Sequence, residues 1–420
     1  MKPLMKPLRQ RWTTRTLAAV SLLAAASLAA CSSSSTSTSS MSGSATESIP
    51  AASFTAKPAS ANPIKIGLIS NEGGQSISQP ENREAAVAAA KYANDHLGGI
   101  GGHPVDLVIC KNAEEPASAR DCANQMVEAK VSAVVVTSTG EGDILVPIIT
   151  GAGIPYVAAA GQSHEELTNK LAFMWSGGFP ASIETMAEDA ERAGMKSVSA
   201  FTIDIPAAVN GLKTFGQESF SSKGIALNVV TIPPGTPDAT PQVSAGLTGD
   251  TQGAIVVGEG NLCTATLKAL GTLGFSGTKM GIQGCATPTV VQGVGASSME
   301  GLRVYTAAKT TGDDPEAQLY HSVINEYAPG TDISGYAYVG YQGVLGLVRA
   351  AAGINPADTS PQAFAAAIRG AKDVTLPAGG GLTFTCDGTA NPTLPSVCGK
   401  GSVVATVEQG KLTNPQTEEK

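Results

Sequence analysis

The chain has 420 residues, of which 42% are hydrophobic, 15% charged and 5% aromatic, with a formal net charge of −8. That length exceeds one ordinary core and suits two domains. The acidic balance argues against nucleic acid, whose binding rests on cations that neutralise phosphate.

Lys2, Lys6, Arg9, Arg11 and Arg15 precede an apolar run of about fifteen residues, the pattern of a secretory signal. A bilayer-spanning helix takes about twenty. Leu28-Ala29-Ala30-Cys31 reads as a bacterial lipobox. A signal peptide over 1–30 and diacylglycerol on Cys31 are therefore expected, anchoring the chain on the outer face of the cell membrane. "MKPLMKPL" repeats, so Met1 and Met5 are both candidate starts. Residues 31–61, rich in serine and threonine, lack the apolar content to offset ordering entropy and are expected to be a disordered tether. Without the five signal-region cations, 22 basic residues face 35 acidic ones, a net charge near −13.

From Pro63 the pattern alternates. Strands are expected at 64–70, 103–110, 131–137 and 154–160, with helices at 81–97, 117–129 and 143–153 between them. A second series follows "FMWSGGFPAS" (173–182): a helix at 182–193, a strand at 197–203, a helix near 208–222, and strands at 227–232, 253–258 and 279–284. A helix at 262–273 lies between the last two. The strand 301–308 leads into helices at 316–328 and 336–353, and the final segment has hairpin character. Such alternation implies α/β architecture with right-handed βαβ units and parallel sheets. Ligands of these sheets sit at the carboxyl ends of strands, which points to Ser70–Gln75, Thr137–Gly140 and Ala159–Ser163.

Six cysteines remain after Cys31, and an even count in an oxidising compartment suggests disulfides. Fifteen pairings are possible. The residues fall into three separate sequential pairs, so Cys110–Cys122, Cys263–Cys285 and Cys386–Cys398 are expected. No Cys/His spacing suits a metal, and no phosphate-cradling or nucleophile-elbow motif follows a strand. No cofactor, metal ligand or catalytic residue is expected. His96, His103 and His321 are scattered; His164 sits in "GQSHEE", where Ser163 and Glu166 have the spacing of a helix capping box.

"HLGGIGGHPVDLVICKN" (96–112), "ASARDCANQMV" (117–127), "VVVTSTG" (134–140), "GIPYVAAAG" (153–161) and, later, "SGYAYVGYQGVLGLVRA" (334–350) resemble the type I periplasmic binding proteins. The resemblance spans roughly 62–412. It is nearest the branched-chain amino-acid class of ABC-importer receptors, in its actinobacterial lipoprotein form. It implies two Rossmann-like lobes with parallel sheets, joined by three crossovers near 177, 303 and 393. Lobe 1 would comprise 62–176 and 304–392, lobe 2 would comprise 177–303 and 393–412, and 413–420 would be a disordered tail. It also implies a non-enzymatic, monomeric receptor that closes on a small polar ligand (an amino acid, amide or small carboxylate) and delivers it to an ABC permease. A sensor signalling through a membrane partner is the alternative; a Ser163/His164 hydrolase is a more distant one.

Carried over by position, the implied ligand-binding residues are Ser138, Thr139 and Gly140 from one lobe-1 loop, and Gly161, Gln162 and Ser163 from the second. Lobe 2 would contribute Asp204, Glu259 and Gln283. It departs from the family pattern, with Ala207 and Ala208 where a ring would pack and neutral Gln283 where an acidic residue often meets the ligand ammonium.

Overall fold

The run "IKIGLIS" has no polar alternation because the strand it forms is covered on both faces. The computed structural model describes residues 54–74, 77–258, 260–333 and 335–418, without the side chains of 206 and 207. In it β1 (Ile64–Asn71), β2 (Val105–Asn112), β3 (Ala133–Val136), β4 (Tyr156–Ala158) and β5 (Ala172–Met174) form a parallel sheet in the order β2-β1-β3-β4-β5. Helix Pro80–Tyr92 starts with proline, whose fixed φ suits the first turn, and buries Ala85, Ala86 and Ala89. Helix Ala337–Ala350 lies directly on it. A Cβ on Gly340 would stand 1.7 Å from the Asn82 carbonyl oxygen, so glycine is needed for this approach. One and two turns on, Gly343 and Gly346 admit Val135 and the Trp175 ring, and the Trp175 indole donates to the Gly343 carbonyl at 3.2 Å.

The second sheet contains β6 (Ser197–Ile203), β7 (Ala226–Ile232), β8 (Gly253–Val257), β9 (Thr278–Ile282) and β10 (Arg303–Thr306). After the two-stranded β11 (Val374–Thr375) and β12 (Thr383–Phe384), β13 (Ser402–Glu408) and β14 (Lys411–Glu418) complete it, in the order β14-β13-β10-β9-β8-β6-β7. β13 runs antiparallel to β10. Mixed α/β architecture with parallel sheets in two lobes is thus what the alternation predicts.

Two of the expected crossovers fall elsewhere. The chain first passes between sheets after β5, as expected. The second passage follows β10, which lies wholly in the second sheet through its pairing with β9 and β13, so a boundary at 303/304 is displaced. The third follows Cys398, not residue 393. The Met174 N–H donates to the Ser396 carbonyl and the Cys398 N–H to the Met174 carbonyl, both at 2.8 Å, which holds 396–398 beside β5.

Both termini of the globular part also differ from expectation. Residues 54–61 are not tether: the Phe54 ring packs 5.4 Å from Tyr92, and the Lys57 and Ala59 N–H groups donate to the Asp95 and Asn94 carbonyls at 2.8 Å. One aromatic anchors an otherwise polar stretch. Residues 413–418 are not tail but the greater part of β14, because Gln409 and Gly410 both adopt positive φ and close a two-residue hairpin turn. Residues 1–53, including Cys31, lie outside the described residues.

The cysteines pair as expected: Cys110–Cys122, Cys263–Cys285 and Cys386–Cys398. The second bond ties helix Gly260–Thr272 to the turn at Gln283–Ala286. No described helix is long and apolar enough to cross a membrane.

Candidate functional site

The carboxyl ends of both sheets face a common cleft of about 260 Å³. The loops after β3 and β4 bring Ser138, Gly161 and Gln162 to it, and the turn after β9 brings Gln283. The Gln162 side-chain amide donates to the Ser138 hydroxyl at 3.1 Å, linking the two lobe-1 loops. The remaining expected residues are placed otherwise. Thr139 is buried, its hydroxyl accepting from the Asn112 amide at 3.2 Å and the Glu141 N–H at 2.9 Å. The Gly140 N–H donates to Glu114 at 2.6 Å. Asp204 is exposed and outside the cleft lining, where its neighbour Ile205 takes its place. Glu259 lies outside the described residues.

Ser163 caps helix His164–Thr168 in the capping box that its sequence suggests. The Ser163 hydroxyl accepts from the Glu166 N–H at 3.3 Å, and the Glu166 carboxylate accepts the N–H groups of Gln162 and Ser163 at 2.9 and 3.0 Å. Its other oxygen accepts from the Tyr156 hydroxyl at 2.6 Å. These contacts engage Ser163 as a cap. Burial raises the Glu166 pKa, outweighing the donors around it. Burial does the same to Glu114, which accepts from Gly140 and, at 2.7 Å, from the Asn112 amide. Gly142 packs against this corner: a Cβ there would meet the Ser163 hydroxyl at 2.2 Å.

The sequence reading missed much of the wall. Gln79, just ahead of helix Pro80–Tyr92, reaches the cleft with its carbonyl pinned by the Asn71 and Asn82 amides at 2.8 and 3.1 Å. Tyr336, Tyr338 and Gln342 come from "SGYAYVGYQG", which reads only as helix. The Gly284 N–H donates to the Tyr336 hydroxyl at 3.1 Å, bridging the lobes. Phe179 and Phe215 line the lobe-2 side. A larger, more open depression of about 740 Å³ shares Gln283 but is lined mainly by the second lobe's outer turns; only the smaller cleft gathers strand-end loops from both sheets.

The scattered histidines have structural partners. His96 meets the Tyr327 hydroxyl at 2.9 Å, His103 the Pro356 carbonyl at 2.9 Å and His321 the Thr310 carbonyl at 2.7 Å. Among the described residues no cluster of three or more His, Cys, Asp or Glu side chains could hold a metal ion.

Comparison with solved structures finds this fold repeatedly. The branched-chain amino acid transporter substrate-binding protein LivJ of Streptococcus pneumoniae, solved with isoleucine, is 20% identical over 85% of this chain and 100% of its own, with a TM-score of 0.70. The leucine-binding protein LivK of Thermotoga maritima is 20% identical over 84% and 97%, with a TM-score of 0.68. An ABC transporter substrate-binding protein from Sphaerobacter thermophilus is 20% identical over 85% and 96%, with a TM-score of 0.71. At that identity the likeness is one of fold. No sequence among proteins of curated function matches the chain. The model of the periplasmic binding protein family matches residues 63–398, and the chain, built of two α/β lobes about a cleft, belongs to that family.

Proposed function

We propose that the chain is an extracytoplasmic solute receptor of an ABC importer, anchored by lipid on Cys31. The observation that carries this reading is the cleft itself, walled by strand-end loops of both sheets with the crossovers alongside. A ligand that touches both walls stabilises the closed arrangement, because only that arrangement supplies all its contacts. Family membership supports a location outside the cytoplasm. Lipid on Cys31, only 23 residues ahead of Phe54, would keep the receptor near its permease at high effective concentration. The binding reading extends to Ser138, Gly161, Gln162 and Gln283, with Thr139, Gly140 and Ser163 as supports of the two loops.

Mass spectrometry of the mature N-terminus tests the anchor. A diacylglyceryl group on Cys31 is expected, and Cys31→Ser should release the protein from the membrane fraction. Uptake assays and crosslinking test the importer reading: deletion of the chain should abolish accumulation of its ligand, and the partner crosslinked in the cell should be a permease. A signalling protein at that position would instead favour the sensor.

A further inference from the structure

We propose that the cleft selects an uncharged ligand carrying an N–H or O–H donor, because the described residues of its wall include no charged side chain and the chain's own carboxylates hold three backbone N–H groups of the two lobe-1 loops. This rests on the receptor reading and specifies its ligand class.

Three backbone donors of the two lobe-1 loops are occupied from within. The Gly140 N–H goes to Glu114, and the N–H groups of Gln162 and Ser163 go to Glu166. A ligand carboxylate reaching for the Gln162 or Ser163 N–H would have to displace Glu166, which is 2% exposed and further fixed by Tyr156 and the Ser163 hydroxyl. It would also approach two groups of its own charge, which disfavours the charged form of each.

The lining agrees. Among the described residues of the cleft wall there is no Asp, Glu, Lys, Arg or His. The polar groups are amides and hydroxyls, set among Phe179, Phe215 and Val339. An ion desolvated there without a counter-charge is costly, whereas a neutral polar group can be met by a hydrogen bond.

Gln342 supplies an independent pointer. Its side chain is fully buried at the cleft, and its NH2 donates to the Ala307 and Pro377 carbonyls at 3.1 and 2.9 Å. Those two acceptors fix the orientation of the amide. Its carbonyl oxygen is left without a partner, a condition that buried acceptors seldom sustain. A ligand donor aimed at this oxygen would satisfy it. The cleft volume, equal to about nine bulk waters, restricts the ligand to a small molecule.

The test uses the mature chain purified in detergent and four probes with one branched alkyl body: 4-methylpentanamide, 4-methylpentanoate, isopentylamine and L-leucine, with xylitol and myo-inositol as neutral polyols. Thermal unfolding and calorimetry should show binding of a neutral probe at least tenfold tighter than of any charged one. Tighter binding of leucine, the carboxylate or the amine overturns the inference and leaves the receptor reading standing. If no probe binds, the small molecule released from the denatured native chain decides. An uncharged molecule upholds the inference and a charged one overturns it; recovery of none overturns the receptor reading, and the inference with it. A second arm tests the internal anion. Glu166→Ala frees two N–H groups, so propionate should raise the Tm of this variant and leave the wild type unmoved. Should that variant fail to fold, Glu114→Ala carries the same readout. Absence of propionate rescue in a folded variant overturns the role assigned to these carboxylates.

Discussion

Glu166 is a buried acid whose folded-state pKa lies above the ordinary glutamate range, raised by burial. The folded chain therefore holds this proton more tightly than the unfolded chain does. Its contribution to stability is fully present below the unfolded pKa and is lost as pH rises through the folded value. Glu114 acts with the same sign. Glu72 acts with the opposite one. Burial alone would push it up, but Arg83 at 2.6 Å and Lys111 at 3.0 Å outweigh burial and hold it low. Its contribution is present at neutral pH and lost as pH falls through the folded value. Unfolding titrations from about pH 4 upward should show a falling wild-type component that Glu166→Gln, which cannot titrate, removes. An unchanged slope in Glu166→Gln would mean that the acid does not titrate differently on folding. Gly142→Ala probes the same corner sterically: its Cβ would drive into Ser163 and Glu166. A loss of about 1–3 kcal/mol is expected in denaturant unfolding, together with weakened ligand binding in calorimetry.

Among the elements, the pair of helices Pro80–Tyr92 and Ala337–Ala350 depends on a close backbone approach. Gly340→Ala would place a methyl against a main-chain oxygen that cannot rotate away. A destabilisation of about 3 kcal/mol, at the upper end of overpacking, is expected from denaturant unfolding. The bond between Cys263 and Cys285 spans 22 residues. Its removal by a double Cys→Ser exchange should cost about 3 kcal/mol on loop-closure grounds, read as a lower Tm without loss of far-ultraviolet dichroism. Both helices and the cysteine pairing were legible: the first helix from its alanine-rich run stopped at Gly98 and Gly99, and the pairing from the proximity of paired cysteines along the chain. The hairpin β13–β14 was legible only in part. Its turn is Gln-Gly rather than Asn-Gly, and β14 alternates too weakly in hydropathy to announce itself beyond residue 412.

At the scale of the molecule, two lobes follow from two series of alternating strands and helices, and this was readable without coordinates. The passage points were not. Whether a short extended segment belongs to one sheet or the other depends on which edge it pairs with, and β10 and residues 396–398 carry no local signal of that choice. The cleft was half legible for the same reason. Strand-end positions gave Ser138, Gly161 and Gln162, and the family resemblance gave Gln283, whereas Gln79, Tyr336, Tyr338 and Gln342 are brought in by helices whose orientation is set by packing. The misplaced residues are instructive as well. Thr139, Gly140 and Ser163 are adjacent in sequence to the wall, yet their polar groups turn inward to Asn112, Glu114 and Glu166.

Trp175 lies at the first passage between the lobes, buried under Gly343 and Gly346 with its ring 4.9 Å from Phe384. The chain has two tryptophans, and the other, Trp12, belongs to the segment expected to be cleaved. A protein processed at that site carries a single tryptophan, shielded from solvent quenchers beside the first passage between the sheets. A ligand-dependent change in its emission, read in a stopped-flow instrument on the wild-type chain without a label, would report a rearrangement that reaches this passage.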